Sequence, residues 1–156
     1  MRHARVMLLA AFVLMSVPAA AQVASAKPAH KHISAEGVAR AWMVALNAGM
    51  ATGDFRALGQ LYADDATFTV STPAGVTTVY RGRDQILGFY RGLAVEERGS
   101  TFTQDSLTSL APEVVLAYEH AGKPGQSMPA RCIHVYQVRK GLIRNEHWTV
   151  FFGGTP

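Results

Sequence analysis

Three of the six histidines stand in the C-terminal third of the sequence, each within a run of alternating polar and apolar residues: His120, His134 and His147. Imidazole is the side chain whose ordinary pKa lies nearest neutrality, so it serves as base, acid or metal ligand. A β-strand turns alternate residues to one face. Leu116, Tyr118 and His120 therefore share a face of their segment, as do His134, Tyr136 and Val138, and Asn145, His147 and Thr149. If these three sets point inward, they gather His120, His134, His147, Asn145 and Tyr118 beneath Trp42 and Tyr90. His134 as general acid or base, with His147 or Tyr118 as partner, suits enolisation, dehydration or cyclisation of a small carbonyl compound. The same groups could instead satisfy hydrogen bonds across a polar-lined cavity. The catalytic candidates are His134 and His147; the ligand-binding candidates are Trp42, Tyr90, Tyr118, His120 and Asn145.

Metal chemistry is not expected, because the three histidines lie on separate segments with no H-x-H or H-E-x-x-H spacing. No cofactor motif is present either. His30 and His32 sit in a lead-in rich in Ala, Lys and His and read as solvated. Cys132 is the sole cysteine, which excludes an intramolecular disulfide, and it reads as a small buried hydrophobe. Asp64-Asp65 reads as a cap or turn where a helix hands over to a strand. Glu119 and Glu146 have the opposite parity to the proposed pocket residues and are expected on the surface or at a subunit contact. A one-residue change of register would reverse that assignment.

The elements that must carry these groups are legible in outline. Ser34 caps an amphipathic helix with Val38, Ala41, Trp42, Ala45 and Leu46 at helical spacing, ending near Gly49. Asp54 opens a short second helix carrying Phe55, Leu58, Leu61 and Tyr62. A strand from Ala66 to Ser71, a Thr72–Gly75 turn and a strand from Val76 to Tyr80 follow. Asp84 then begins a third helix with Ile86, Leu87, Tyr90 and Leu93 as its apolar stripe. Thr101 to Leu110, Glu113 to His120, Pro129 to Val138 and Leu142 to Phe152 form four strands of an antiparallel meander. Helices first and long strands last predict a segregated α+β fold with a curved sheet over the helices.

Arg2, His3 and Arg5 precede the apolar run Val6 to Val17, and small residues follow at Ala19 to Ala21. That is the pattern of a secretory signal peptide, with cleavage after Ala21 or Ala26 and too short a core for a stable membrane anchor. The expected division is residues 1–21 as signal, 22–33 as flexible linker and 34–153 as one domain, periplasmic or secreted. The formal charge of +4 includes two arginines of the signal. Arg81, Arg83, Arg91 and Arg98 carry no interleaved stacking aromatics, so they read as a solvated face, and no nucleic-acid partner follows.

The stretches Ala45-Leu46-Asn47-Ala48-Gly49, Leu61-Tyr62-Ala63-Asp64-Asp65-Ala66-Thr67 and Tyr80-Arg81-Gly82-Arg83-Asp84-Gln85-Ile86, in this order of elements, resemble the NTF2-like superfamily in its SnoaL-like and ketosteroid-isomerase-like branch. The resemblance spans about residues 35–152 and implies a cone of helices packed on a curved antiparallel sheet around one pocket. It does not choose a function, since the superfamily holds isomerases, dehydratases, cyclases, binding modules and assembly domains. The steroid-isomerase groups it would imply are replaced: Trp42 stands at the tyrosine position, Val70 to Pro73 holds no carboxylate at the base position, and His134 stands at the acid position. The expectation is an exported domain that binds a small hydrophobic molecule. The alternatives are a cofactor-independent isomerase, dehydratase or cyclase using a pocket histidine, and a noncatalytic dimerisation or interaction domain. A homodimer through the outer sheet face is expected, from the resemblance and from the apolar set Trp148, Val150 and Phe152.

Overall fold

The computed structural model describes residues 33–124 and 130–152. Helix α1, Ala35–Thr52, is capped by Ser34, whose Oγ accepts from the Gly37 N–H at 3.1 Å. It runs one turn past the expected end. Gly49 is not the terminator, because Phe55 lies against it so closely that a Cβ would come within 2.4 Å of the ring. Gly53 ends the helix instead, at φ 79°, with its N–H on the Gly49 carbonyl at 2.7 Å. The face bearing Val38, Trp42, Ala45 and Leu46 is buried. Helix α2 is a single turn, Arg56–Gly59, with Asp54 accepting from the Arg56 N–H at 3.0 Å.

Strand β1, Tyr62–Ser71, begins four residues before the expected start, so Asp64-Asp65 lie within the strand rather than at a junction. Its pairing with the last strand is irregular there: Tyr62 opposes Ile143, and the next pair is Thr67 with Asn145. Strand β2, Thr77–Arg81, returns antiparallel to β1, and Gly82 at φ 82° turns the chain into helix α3, Arg83–Glu96. Ile86, Leu87 and Tyr90 are the buried stripe of α3. Strands β3, Thr101–Ala111, β4, Val114–Gly122, β5, Ala130–Arg139, and β6, Leu142–Phe152, form the expected antiparallel meander. The six strands make one open, mixed sheet in the order β2-β1-β6-β5-β4-β3, with β1 parallel to β6. Helices followed by this sheet make the α+β cone foreseen from the sequence.

Side chains that bond to strand backbone help tie the helices to the sheet. Asn47 donates to the Phe102 carbonyl at 2.8 Å and accepts the Phe102 N–H at 2.9 Å, tying α1 to β3. Arg83 at the start of α3 donates to the Tyr62 carbonyl at 3.1 and 2.6 Å, holding the first residue of β1 in place.

The faces of β4 and β6 correct the sequence reading. Residues directly opposite one another in an antiparallel pair share a face. His134 opposes Ala117 on one side and Trp148 on the other; Tyr136 opposes Val115 and Glu146; Cys132 opposes Glu119 and Val150. With His134 inside, the register carries Glu119, Glu146 and Trp148 inside with it. Tyr118, His120, Asn145 and His147 are carried to the outer face, opposite to the expected pocket side. Glu119 is 1% exposed and Glu146 2%, whereas Tyr118 is 48% exposed. Trp148 is buried and Val150 packs against the core, so neither supports an exposed apolar face of the kind expected.

Candidate functional site

Between α1, α3 and the inner face of the sheet lies a cluster of polar groups built from six elements. Trp42 comes from α1, Tyr62 from β1, Tyr90 from α3, Glu119 from β4, His134 and Tyr136 from β5, and Glu146 from β6. All seven side chains are buried. Trp42 Nε1 donates to the Tyr62 hydroxyl at 2.7 Å. Tyr62 in turn donates to Glu146 Oε2. Tyr90 donates to the other carboxylate oxygen, Oε1, at 3.0 Å. Each oxygen of the Glu146 carboxyl thus accepts one phenolic proton.

The second half centres on His134. Its Nδ1 lies 2.8 Å from the Tyr136 hydroxyl and 2.7 Å from Glu119 Oε2. The Tyr136 hydroxyl donates to Glu119 Oε1 at 3.2 Å. The ring nitrogen is aligned with the hydroxyl. Its approach to Glu119 Oε2 is a close electrostatic contact without hydrogen-bond alignment, which leaves that oxygen without a bonded partner. His134 Nε2 also makes no hydrogen bond; Glu146 Oε1 lies 3.8 Å away. Trp42 and Trp148 flank the imidazole with ring centroids at 4.9 Å each.

Burial dominates the electrostatics. The Glu146 carboxyl is pushed up to about 7 by loss of water, against the lowering effects of His134 and of the Tyr62 and Tyr90 hydrogen bonds, with Glu119 adding to the rise. The phenols of Tyr62 and Tyr90 are pushed up by burial and then by the charge of Glu146; that of Tyr136 rises by burial and then by the charge of Glu119. Burial pushes the Cys132 thiol up to about 12, which fits the structural role expected for it. Trp148 Nε1 makes no aligned hydrogen bond, although the Cys132 thiol is near enough to feel the indole.

Of the residues singled out in the sequence, Trp42, Tyr90 and His134 meet in this cluster. The others lie elsewhere. His120 faces Asp105 at 2.8 Å on the outer side; Asn145 donates to Gln137 at 2.6 Å; His147 Nε2 lies 3.3 Å from Ser71 Oγ; Tyr118 is exposed. The groups missed are Glu119, Glu146, Tyr62 and Tyr136, the last recognised only as sharing a face with His134. Strand register was the missing information. The signal that could have found the two glutamates is the parity of Trp148, since an indole set against Asn145 and His147 argues for the Trp148 parity as the inward one.

Among the described residues no group of histidine, cysteine and carboxylate side chains has the arrangement of a metal site, and no helix is long and apolar enough to cross a membrane. An open polar cavity of about 680 Å³, lined by Asp65, Gln137, Arg139, Lys140, Arg144 and Asn145, includes no member of the buried cluster. The expected signal segment and the His30 and His32 lead-in lie outside the described residues.

The sequence from residue 39 to 146 matches the family of SnoaL-like domains. No curated protein sequence matches the chain. Among solved structures the chain is similar to a putative ketosteroid isomerase from Kribbella flavida, at 16% identity over 78% of this chain and 81% of that one, with a TM-score of 0.58. It is also similar to a protein of unknown function with a cystatin-like fold from Methylobium petroleophilum, at 23% identity over 80% and 79%, TM-score 0.60. A SnoaL-like protein of unknown function from Burkholderia thailandensis matches at 19% identity over 77% and 95%, TM-score 0.56. At these identities the likeness carries the NTF2-like fold and not an activity. The family match covers most of the chain, and the protein belongs to the SnoaL-like domain family.

Proposed function

We propose that this protein is an exported domain that takes a small, mainly apolar and uncharged molecule into its cone and moves a proton on it. Its chemistry would be that of a cofactor-independent isomerase, dehydratase or cyclase. The observation that carries the reading is Glu146, a fully buried carboxyl held by two phenols and pushed up to about 7. A general acid or base works best with its pKa near the operating pH. Two buried carboxylates and an imidazole cost several kcal/mol per charge to desolvate, roughly, and an apolar core of the same volume would be as stable or more so. Such groups cluster where function requires them.

The cluster also limits the ligand. Among the described residues the buried polar ones are Ser100, Glu119, His134 and Glu146, with no lysine or arginine among them. A carboxylate or phosphate ligand would meet two carboxyl groups and no fixed cation. The rings of Trp42, Phe68, Tyr90 and Trp148, which pack on one another around the cluster, would meet an apolar body, and the unbonded Nε2 of His134 would meet one polar atom.

The test is exchange of the activated C–H protons of a panel of neutral carbonyl compounds in D₂O, together with native mass spectrometry of the purified protein for a retained ligand. Glu146→Gln is expected to keep the ligand and lose roughly 10²- to 10⁴-fold in exchange rate. A wild-type protein that retains nothing and exchanges nothing would sink the proposal. That outcome would favour the second reading, a noncatalytic interaction or dimerisation domain, which the mutual satisfaction of Trp42, Tyr62, Tyr90 and Glu146 supports. A homodimer through the outer sheet face belongs to either reading. Exposed Tyr118 and Phe151 support it, and sedimentation tests it.

A further inference from the structure

The Tyr136 hydroxyl has one proton and lies between two acceptors, Glu119 Oε1 at 3.2 Å and His134 Nδ1 at 2.8 Å. A carboxylate can only accept, so the phenolic proton points to Glu119 and the phenolic lone pair is left facing Nδ1. Nδ1 must then carry a proton, which the Tyr136 oxygen accepts. Glu119 Oε2, 2.7 Å from the same nitrogen, favours that proton electrostatically. Neither Glu119 nor Tyr136 reaches the other side of the ring. There Nε2 is buried, unbonded, and 3.8 Å from Glu146 Oε1.

We infer that Glu119 is a positioning residue: through the Tyr136 hydroxyl it fixes the proton of His134 on Nδ1 and leaves Nε2 as the nitrogen that gives or takes a proton toward Glu146 and a bound molecule. The directional chain runs Glu119, Tyr136, His134. Without the carboxylate, the freed hydroxyl turns and donates to Nδ1, and the imidazole proton moves to Nε2. The working nitrogen is then blocked as a base although no side chain near the ligand has changed. The catalytic consequence rests on the function proposed above; the proton position does not.

Long-range ¹H–¹⁵N correlation spectra of the purified protein, with His134 assigned through His134→Gln, read the state of each ring nitrogen directly. The wild type is expected to show a protonated Nδ1. Glu119→Met, which keeps the volume and removes the acceptor, is expected to shift His134 to the Nε2–H tautomer, and Glu119→Asp to restore the wild-type pattern. A Glu119→Met protein whose Nδ1 stays protonated overturns the inference. Should that variant fail to fold, Tyr136→Phe decides: with the relaying hydroxyl gone and Glu119 Oε2 out of line with Nδ1, the Nδ1–H preference should weaken, and a pattern as strong as the wild type's refutes the relay. Where turnover is measurable, Glu119→Met should lower kcat with KM unchanged. If the spectra behave as stated and no ligand or turnover is found, the function proposed above fails while this assignment stands.

Discussion

Strand β4 carries two carboxylate–histidine contacts of nearly equal length on its opposite faces. On the inside, Glu119 lies 2.7 Å from His134 with both side chains at 0% exposure. On the outside, His120 lies 2.8 Å from Asp105, with side chains 36% and 49% exposed. The functional groups are the same; the surroundings differ. Water around the outer pair weakens the Coulomb attraction and already solvates both partners, so little is gained by bringing them together. Inside, the attraction is strong, but so is the cost of stripping water from each charge. One carboxyl in that interior, Glu146, meets the cost by holding its proton up to about pH 7. Distance alone therefore does not tell a buried pair from a surface one.

The largest break in this contrast comes from deleting one partner. His134→Ala should cost about 3–5 kcal/mol in urea denaturation, because it empties the space between Trp42 and Trp148 and takes from the buried Glu119 carboxyl its nearest polar neighbour. A loss below about 1 kcal/mol would mean that water enters the cluster and that its burial is overstated. Glu146 sharpens the contrast through pH. Its ordinary value is 4.5 and its folded value about 7, so between these the unfolded chain releases the proton while the folded one keeps it. Stability should then fall by about 3 kcal/mol as pH rises from 4.5 to 7 and level off above, since a shift of one unit is about 1.4 kcal/mol. Glu146→Gln should flatten that slope, and an unchanged slope would assign it to another group.

Smaller effects follow. Trp42→Phe removes the Nε1 donor to Tyr62 and should cost about 1–2 kcal/mol, leaving the phenol with one fewer partner. A value well above that would point to lost ring packing against His134 rather than the hydrogen bond. The smallest change is expected outside: Asp105→Asn should alter stability by less than about 1 kcal/mol, and less again in high salt. A larger, salt-insensitive effect would show that the outer pair is covered, which is the result a dimer through this face requires.

The elements were readable because local chemistry sets them. Ser34 as a cap, the Trp42-bearing stripe of α1, the apolar stripe of α3 and the four-strand meander all follow from spacing and capping, whereas α3 begins at Arg83 after Gly82 and not at Asp84. The inward placement of His134, Trp42 and Tyr90 was also readable, from strand alternation for the first and helical spacing for the other two. The parallel docking of β1 on β6 was not, because parallel neighbours leave no hairpin signal in the chain. Asp64-Asp65 looked like a turn for a related reason: the irregular stretch of β1 that holds them depends on its pairing with β6, not on its own residues.

The sequence by itself determined the helices, the strands, the order in which they come and the supply of histidine, tyrosine and carboxylate for a buried site. Tertiary structure decided which of those groups meet. Period two offers each strand two faces of equal local merit, and only pairing across strands chooses between them. Ala117 and Trp148 opposite His134 turn Glu119 and Glu146 inward and send His120 and His147 out. The change of surroundings that lifts Glu146 toward neutrality comes from packing alone, because desolvation belongs to the folded molecule and to no residue in it.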